Sequence, residues 1–227
     1  MKDHSEFKLV LGSGSPRRKQ LLSECGFNFS VRTREIDETP PAGFHRFEIA
    51  MQLAEMKSEA LKDSLQDDEI LITADTIVCL NDHVLNKPKD EVQAFEMLKM
   101  LSGKIHQVYT GVCIVSKTKK IVFSCETDVE FNSLTDVQIK KYINDFSPFD
   151  KAGSYGAQEC LPPGMNPCSE TEKQFMISIG KPDLFENTLS EIKKDSVPVI
   201  RKINGSYFNV MGLPIVELTN HLNSFTN

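Results

Sequence analysis

Apolar and polar positions recur along this chain in two periods, and the switches between them mark its elements. Residues 7–11 form a short apolar run that ends in a Gly and Ser turn, and Pro16 opens a segment with Leu21, Leu22 and Cys25 at helical spacing. That order reads as strand, turn and helix. Phe27, Phe29 and Val31 alternate as a half-buried strand does, and residues 33–43, with three acids and two prolines, read as a polar loop. Over residues 44–65 the spacing of Phe47, Ala50, Leu53, Ala54, Ala60 and Leu61 predicts an amphipathic helix.

Residues 69–80 are rich in β-branched side chains, and Asn81-Asp82 turns them towards Val84 and Leu85, which predicts a hairpin. Asp90 is placed to cap a helix carrying Ala94, Met97, Leu98 and Leu101, and Gly103 to end it. Residues 108–116 and 120–131 predict two more strands joined by a basic linker, residues 134–146 return to helical spacing, and residues 216–225 predict a closing helix. The stretch 159–196 differs, because Pro162-Pro163-Gly164 and Asn166-Pro167 interrupt any period before a weakly helical, charged run. It reads as an elaborated loop. Strands alternating with helices, with hairpins among them, predict an α/β protein with a mixed sheet.

Composition narrows the function. With 227 residues and 40% hydrophobic content the chain is able to bury a sizeable core, as one domain or as two lobes sharing a cleft. Lys and Arg total 26 against 32 Asp and Glu, a net charge of -6, which argues against long nucleic acid or an anionic membrane as partner. An anion site must therefore be local. No apolar run has the length of a membrane span, so a cytoplasmic protein is expected. The cysteines, at 25, 79, 113, 125, 160 and 168, show neither CxxC pairs nor zinc-ligand spacing. Cys79 and Cys113 fall in predicted strands as core thiols. Cys160 and Cys168 fall in the loop-like stretch and are expected as exposed free thiols, with a disulfide or metal role as the alternative.

Two features are anomalous for a plain scaffold. Ser15 is placed to N-cap a helix and Pro16 suits its first position, but Arg17, Arg18 and Lys19 then crowd cations where the helix dipole is already positive. Each such charge costs about 0.3 to 1 kcal/mol at an exposed site, and a bound anion reverses the sign. With free backbone N–H groups and the small turn from Gly12 to Ser15, this suits phosphate oxygens; the alternative is a solvated basic helix start. The turn is neither a Walker A loop nor a dinucleotide-binding fingerprint. The second anomaly is Asp75, inside one of the most apolar strands, where an unpaired carboxylate is costly. Its partner is either a structural Lys or turn N–H, or a divalent cation and an attacking water. Thr76 follows with the opposite orientation or lies where the strand bends. Lys57 and Lys87 are candidate phosphate counter-charges, and Glu35, Asp37 and Glu38 candidate metal partners of Asp75. The histidines show no ligand spacing.

Taken in order, LGSGSPRRKQLLSECGF at 11–27, IDET at 36–39, LAEMK at 53–57, ADTIV at 74–78, NKPKD at 86–90, LSGKIHQVYTGV at 101–112, KAGSYGAQ at 151–158 and INGSYFNVMGLPIVEL at 203–218 resemble the Maf family of nucleoside triphosphate pyrophosphatases, related in fold to inosine triphosphate pyrophosphatases. The resemblance implies a mixed, twisted sheet flanked by helices, two lobes around a central cleft, and a single domain over 1–227 with an inserted region at about 159–196. It implies cleavage between the α and β phosphates of a nucleoside triphosphate with a divalent cation, Mg, Mn or Co. Asp75 matches the proton acceptor, acting with Lys57 and Lys87. Ser13, Ser15, Arg17 and Arg18 match the substrate-binding turn, and Glu38 with Asp75 the metal carboxylates. Arg17, Thr76 and Gln158 resemble the marks of the branch acting on dTTP and UTP, and an amide such as Gln158 satisfies the donor and acceptor edge of uracil or thymine. Glu159 departs from the glycine of the family pattern, and the insertion that follows is expected as a mobile surface loop, with a cleft cover or an interface as alternatives. A homodimer is implied. The competing functions are a nucleotide-sensing regulator of cell division and a pyrophosphatase for modified or purine nucleotides.

Overall fold

A computed structural model describes residues 7–39, 43–184 and 197–225. β1 (Lys8–Leu11) buries Leu9, Val10 and Leu11 because it runs inside a sheet, which is why it reads as an unbroken apolar run. It pairs in parallel with β2 (Phe29–Val31) and with β3 (Glu69–Leu80). The crossovers carry α1 (Pro16–Glu24) and α2 (Phe47–Lys62). From β3 onwards the pairing is antiparallel, to β4 (His83–Leu85) and β5 (Ile105–Val115), then β5 to β6 (Lys120–Phe131) and β6 to β7 (Ile200–Asn204). The result is a mixed seven-stranded sheet of order β2-β1-β3-β5-β6-β7, with β4 alongside β3.

Period-two alternation along β3 sends Ile77 and Cys79 to one face, against Ile49, Ala50 and Leu53 of α2. Ile70, Ile72, Ala74 and Val78 go to the other face. There they join a larger core with α1, α3 (Glu91–Leu101), α4 (Asp136–Phe146) and α8 (Ile215–Phe225). One glycine sets how closely α2 approaches. Gly111 of β5 is the register partner of Asp75, and a Cβ there would lie 2.2 Å from the Ala50 carbonyl carbon and 2.3 Å from Met51 N. Helix backbone therefore rests directly on the strand.

The helix over 44–65 is trimmed to Phe47–Lys62, and the strand expected from 108 begins at Ile105. Asp90 caps α3, its side chain accepting Gln93 N at 2.8 Å, and Thr135 closes a capping box with Gln138 at the start of α4. Two short 3-10 turns (Pro148–Asp150 and Ala152–Ser154), α5 (Ala157–Cys160), α6 (Glu170–Ser178), β7 and α7 (Tyr207–Met211) were not expected.

The stretch after Gln158 corrects two expectations. Cys160, Leu161, Cys168 and Met176 are buried in the main core, so its described part, up to residue 184, is anchored by apolar side chains. It is not a loose surface loop; residues 185–196 lie outside the described residues. Cys160 and Cys168 are accordingly buried thiols rather than exposed ones, and burial pushes both up from the ordinary thiol value. All six cysteines are free. No helix among the described residues is long and apolar enough to cross a membrane.

Candidate active site

The cleft follows from a gap in the sheet. β1 ends opposite Ile72, with Gly12 N donating to Ile72 O at 2.8 Å as the last rung, and pairing on that side of β3 resumes only at Val78, opposite Leu85 at the end of β4. Between those rungs β3 has β5 on one side and, among the described residues, no strand on the other. Crevices beyond the carboxyl ends of parallel strands are where open α/β sheets hold ligands. Here the crevice has a volume of about 380 Å³ and exposes both faces of β3, because Asp75 points towards α2 and Thr76 away from it. Its lining includes Ser13, Ser15, Arg17 and Arg18 from the first turn, Glu38 from the polar loop, and Lys57, Asp75, Thr76 and Lys87.

On the α2 wall Lys57 Nζ lies 2.5 Å from Asp75 Oδ1 and 3.0 Å from Glu38 Oε1. Asp75 thus has a lysine partner, and both groups face the cleft. Glu38 is half-exposed, and partial desolvation at the cleft pushes its carboxyl up, but its hydrogen bond to Lys57 and the charges of Lys57, Lys87 and Arg18 outweigh that, leaving it below the ordinary glutamate value. Lys87 is exposed, two residues past β4.

On the opposite wall Arg18 is held by neutral oxygens. Its Nη1 donates to Ser13 Oγ at 3.1 Å, its Nε to Gly212 O at 2.8 Å and its Nη2 to Thr76 Oγ1 at 3.0 Å. A relay of hydroxyls continues from Thr76 to Thr110 at 2.9 Å and from Thr110 to the Asn209 carbonyl at 3.0 Å. These contacts orient the guanidinium without cancelling its charge, which leaves it for an anion. Burial, aided by Arg17 and opposed by Asp75 and Glu38, lowers Arg18 from the ordinary arginine value. Ser15 caps α1, its Oγ accepting Arg18 N at 3.5 Å, and Arg17 Nη1 reaches Asp150 Oδ2 at 3.4 Å.

The third wall carries residues that sequence reasoning did not single out. Lys151 is buried, with Nζ 2.9 Å from Asp150 Oδ1 and 3.5 Å from Glu159 Oε1. Glu159 Oε2 accepts Tyr142 OH at 2.9 Å, and that hydroxyl accepts Gly156 N at 3.0 Å. Lys151, Tyr155 and Gly156 line the cleft. Lys151 stood in the KAGSYGAQ block, but nothing local marked it as buried. Three predicted residues stay outside the lining: Glu35 and Asp37 of the polar loop, which leaves Glu38 as its one acid at the cleft, and Gln158, whose amide donates to Gln20 Oε1 of α1 at 3.4 Å.

Residues 8–164 match the family described as Maf-like protein. The chain belongs to the Maf family. It is 40% identical over 221 residues to a dTTP/UTP pyrophosphatase of Parabacteroides distasonis, covering 97% of each chain. It is 39% identical over 223 residues to one of Porphyromonas gingivalis, covering 97% of this chain and 95% of that one. To a third, of Bacillus cereus, it is 38% identical over 218 residues, covering 96% and 95%. Likeness to solved structures is looser. A Ham1 protein of Staphylococcus aureus overlaps with a TM-score of 0.39 at 14% identity, over 55% of this chain and 71% of that one. One of Coxiella burnetii gives 0.39 at 11%, over 82% and 98%. Likeness that loose locates no residue of this Maf cleft.

Proposed function

We propose that this Maf protein hydrolyses dTTP and UTP to the nucleoside monophosphate and pyrophosphate. The observation that carries the reading is the opposition of Asp75, with Lys57 and Glu38, to the uncancelled charge of Arg18 across one gap in the sheet. Phosphate oxygens meet Arg18, Ser13 and the N-terminus of α1 on one side and Lys57 and Lys87 on the other. Such a site works by positioning and charge neutralisation.

Asp75 takes a proton from the attacking water as the water oxygen bonds to the α phosphorus. The bond from that phosphorus to the bridging oxygen breaks, and pyrophosphate leaves with the electron pair. Lys57 holds the Asp75 carboxylate in place through Oδ1, so the attacking water approaches its other oxygen. Glu38 and Asp75, whose carboxylates converge on Lys57 Nζ at 3.0 and 2.5 Å, would hold a hard divalent cation, Mg, Mn or Co, of the kind bound through one or two protein carboxylates. When bound, that cation supplies charge stabilisation at the phosphate oxygens.

The names of the relatives support the pyrimidine preference, and Arg17 and Thr76, two of the three residues that resemble the marks of that branch, line the cleft. Selection of the base by the Gln158 amide requires it to leave Gln20. A homodimer in the cytoplasm is the expected setting. Incubation with each nucleoside triphosphate and resolution of the products tests the reading. Release of orthophosphate and a diphosphate, or no turnover with any of the three metals, sinks it.

A further inference from the structure

The described part of the stretch after Gln158 bears on the cleft without lining it. Glu172, in the first turn of α6, is 1% exposed, and its carboxylate serves two helix starts at once. Oε2 accepts Ser169 N at 2.8 Å and Ser169 Oγ at 3.0 Å, which caps its own helix, and also Tyr207 N at 3.2 Å. Oε1 accepts Ser206 Oγ at 2.6 Å and Phe208 N at 2.9 Å, at the start of α7. Five residues make α7 too short to hold a helical orientation alone. Its first amides end on a buried carboxylate that comes from elsewhere in the chain.

The far end of α7 is where Arg18 is gripped. Gly212, in left-handed backbone at φ 108°, offers the carbonyl that accepts Arg18 Nε, and the Asn209 carbonyl ends the hydroxyl relay from Arg18 through Thr76 and Thr110. A second contact ties the same stretch to the helix that carries Arg18. Lys181 Nζ donates to the Glu24 carbonyl at the C-terminal end of α1, where helix carbonyls lack partners and a cation is favoured.

We infer that Glu172 is a positioning residue for Arg18: by fixing the start of α7 it sets where the Gly212 and Asn209 carbonyls hold the guanidinium. The consequence for turnover rests on the reading of the cleft as a triphosphate site; the positional link does not.

Glu172→Gln keeps the volume but turns an amide NH₂ towards backbone donors, leaving at least one of them unmatched. Measured with dTTP well below the melting temperature of each variant, it is expected to lower kcat/KM roughly ten- to a hundredfold, the scale of an ångström-level misplacement. In an Arg18→Ala background the same change is expected to cost less than about twofold, the spread of independent sites. An equal loss in both backgrounds makes Glu172 a general structural cap and overturns the inference. Should Glu172→Gln fail to fold, Glu172→Asp draws the carboxylate back from the start of α7 while leaving the Ser206 cap on Asn209 N in place, and carries the same comparison. The arm that needs no ligand is the Arg18 Nε–Hε resonance, identified by its absence in Arg18→Lys. It is expected to shift or broaden in Glu172→Gln, and an unchanged peak overturns the inference whatever the activity. If the wild type turns over no nucleotide, the triphosphate reading fails, and the resonance still decides the role of Glu172.

Discussion

Lys57 Nζ meets Asp75 Oδ1 at 2.5 Å across the boundary between a helix and a strand, and it does so because Gly111, beside Asp75 on β5, lets the backbone of α2 rest on the sheet. The ammonium restrains the carboxylate and at the same time adds positive charge to the cleft. Asp75→Asn keeps an oxygen for Lys57 but removes the proton acceptor. We expect kcat with dTTP to fall by about 10² to 10⁴, the usual contribution of a positioned base, while a non-hydrolysable analogue still binds. Steady-state assays and calorimetry check this, and undiminished turnover would remove Asp75 from the chemistry.

The same relationship makes Gly111 a test of the packing beneath it. An added methyl meets Ala50 and Met51 backbone, which no rotamer change relieves, so α2 must lift. Overpacking of this kind costs about 1 to 3 kcal/mol and sometimes more, and Gly111→Ala is expected to lose at least that in urea unfolding. Activity per folded molecule should fall as well, since Lys57 rides on α2. Full activity at unchanged stability would show that the helix approach is softer than the contact implies.

The two arginines of the first turn should separate by base. Arg18 contacts only neutral oxygens and belongs to the phosphates, so Arg18→Ala is expected to lower kcat/KM by about 10² to 10³ for every nucleotide alike. Arg17 pairs with Asp150 on the third wall, next to Lys151, so Arg17→Ala is expected to change the ratio of dTTP to other triphosphates. A base-dependent loss from Arg18→Ala would reverse the two assignments.

What the sequence disclosed depended on how local each cause was. The cap at Asp90 and the hairpin of β3 and β4 rest on neighbours in the chain, and both were legible. The order of strands and helices up to α4 was legible for the same reason. β7 was not, because Arg201 and Lys202 are exposed and hide the apolar pattern of Ile200 and Ile203. α7 is a single short turn whose orientation comes from Glu172, 34 residues away from Ser206, and a glutamate in a charged run gives no hint of burial. Gly111 left a usable signal, since an isolated glycine within a strand marks close backbone approach. For Gln158 the resemblance supplied a role, yet its amide reaches Gln20 of α1, a contact between residues far apart in sequence.

Acid titration offers a check on the α2 wall that does not depend on turnover. Glu38 starts from 4.5, is raised by burial, and is brought below that value by the Lys57 hydrogen bond and then by the charges of Lys57, Lys87 and Arg18. Because the folded state favours the ionised form, Glu38 contributes stability that is present above pH 4.5 and is lost as pH falls through the depressed folded value. Followed by the carboxyl carbon signal, Glu38 should titrate below 4.5 in the wild type. In Lys57→Met its midpoint should rise, because burial then meets only the weaker charges of Lys87 and Arg18. Glu217 supplies the opposite sign. Burial raises its carboxyl, with Glu172 adding to the shift, so its contribution is present below 4.5 and is lost as pH rises through its raised value. The two residues therefore pull the pH profile of unfolding in contrary directions. Glu38→Gln should flatten the loss of stability on the acid side, while Glu217→Gln should flatten the loss on the side above 4.5. A Glu38 midpoint that stays in place in Lys57→Met would mean that the lysine does not bridge the two carboxylates in solution, and with it would go the restraint on Asp75.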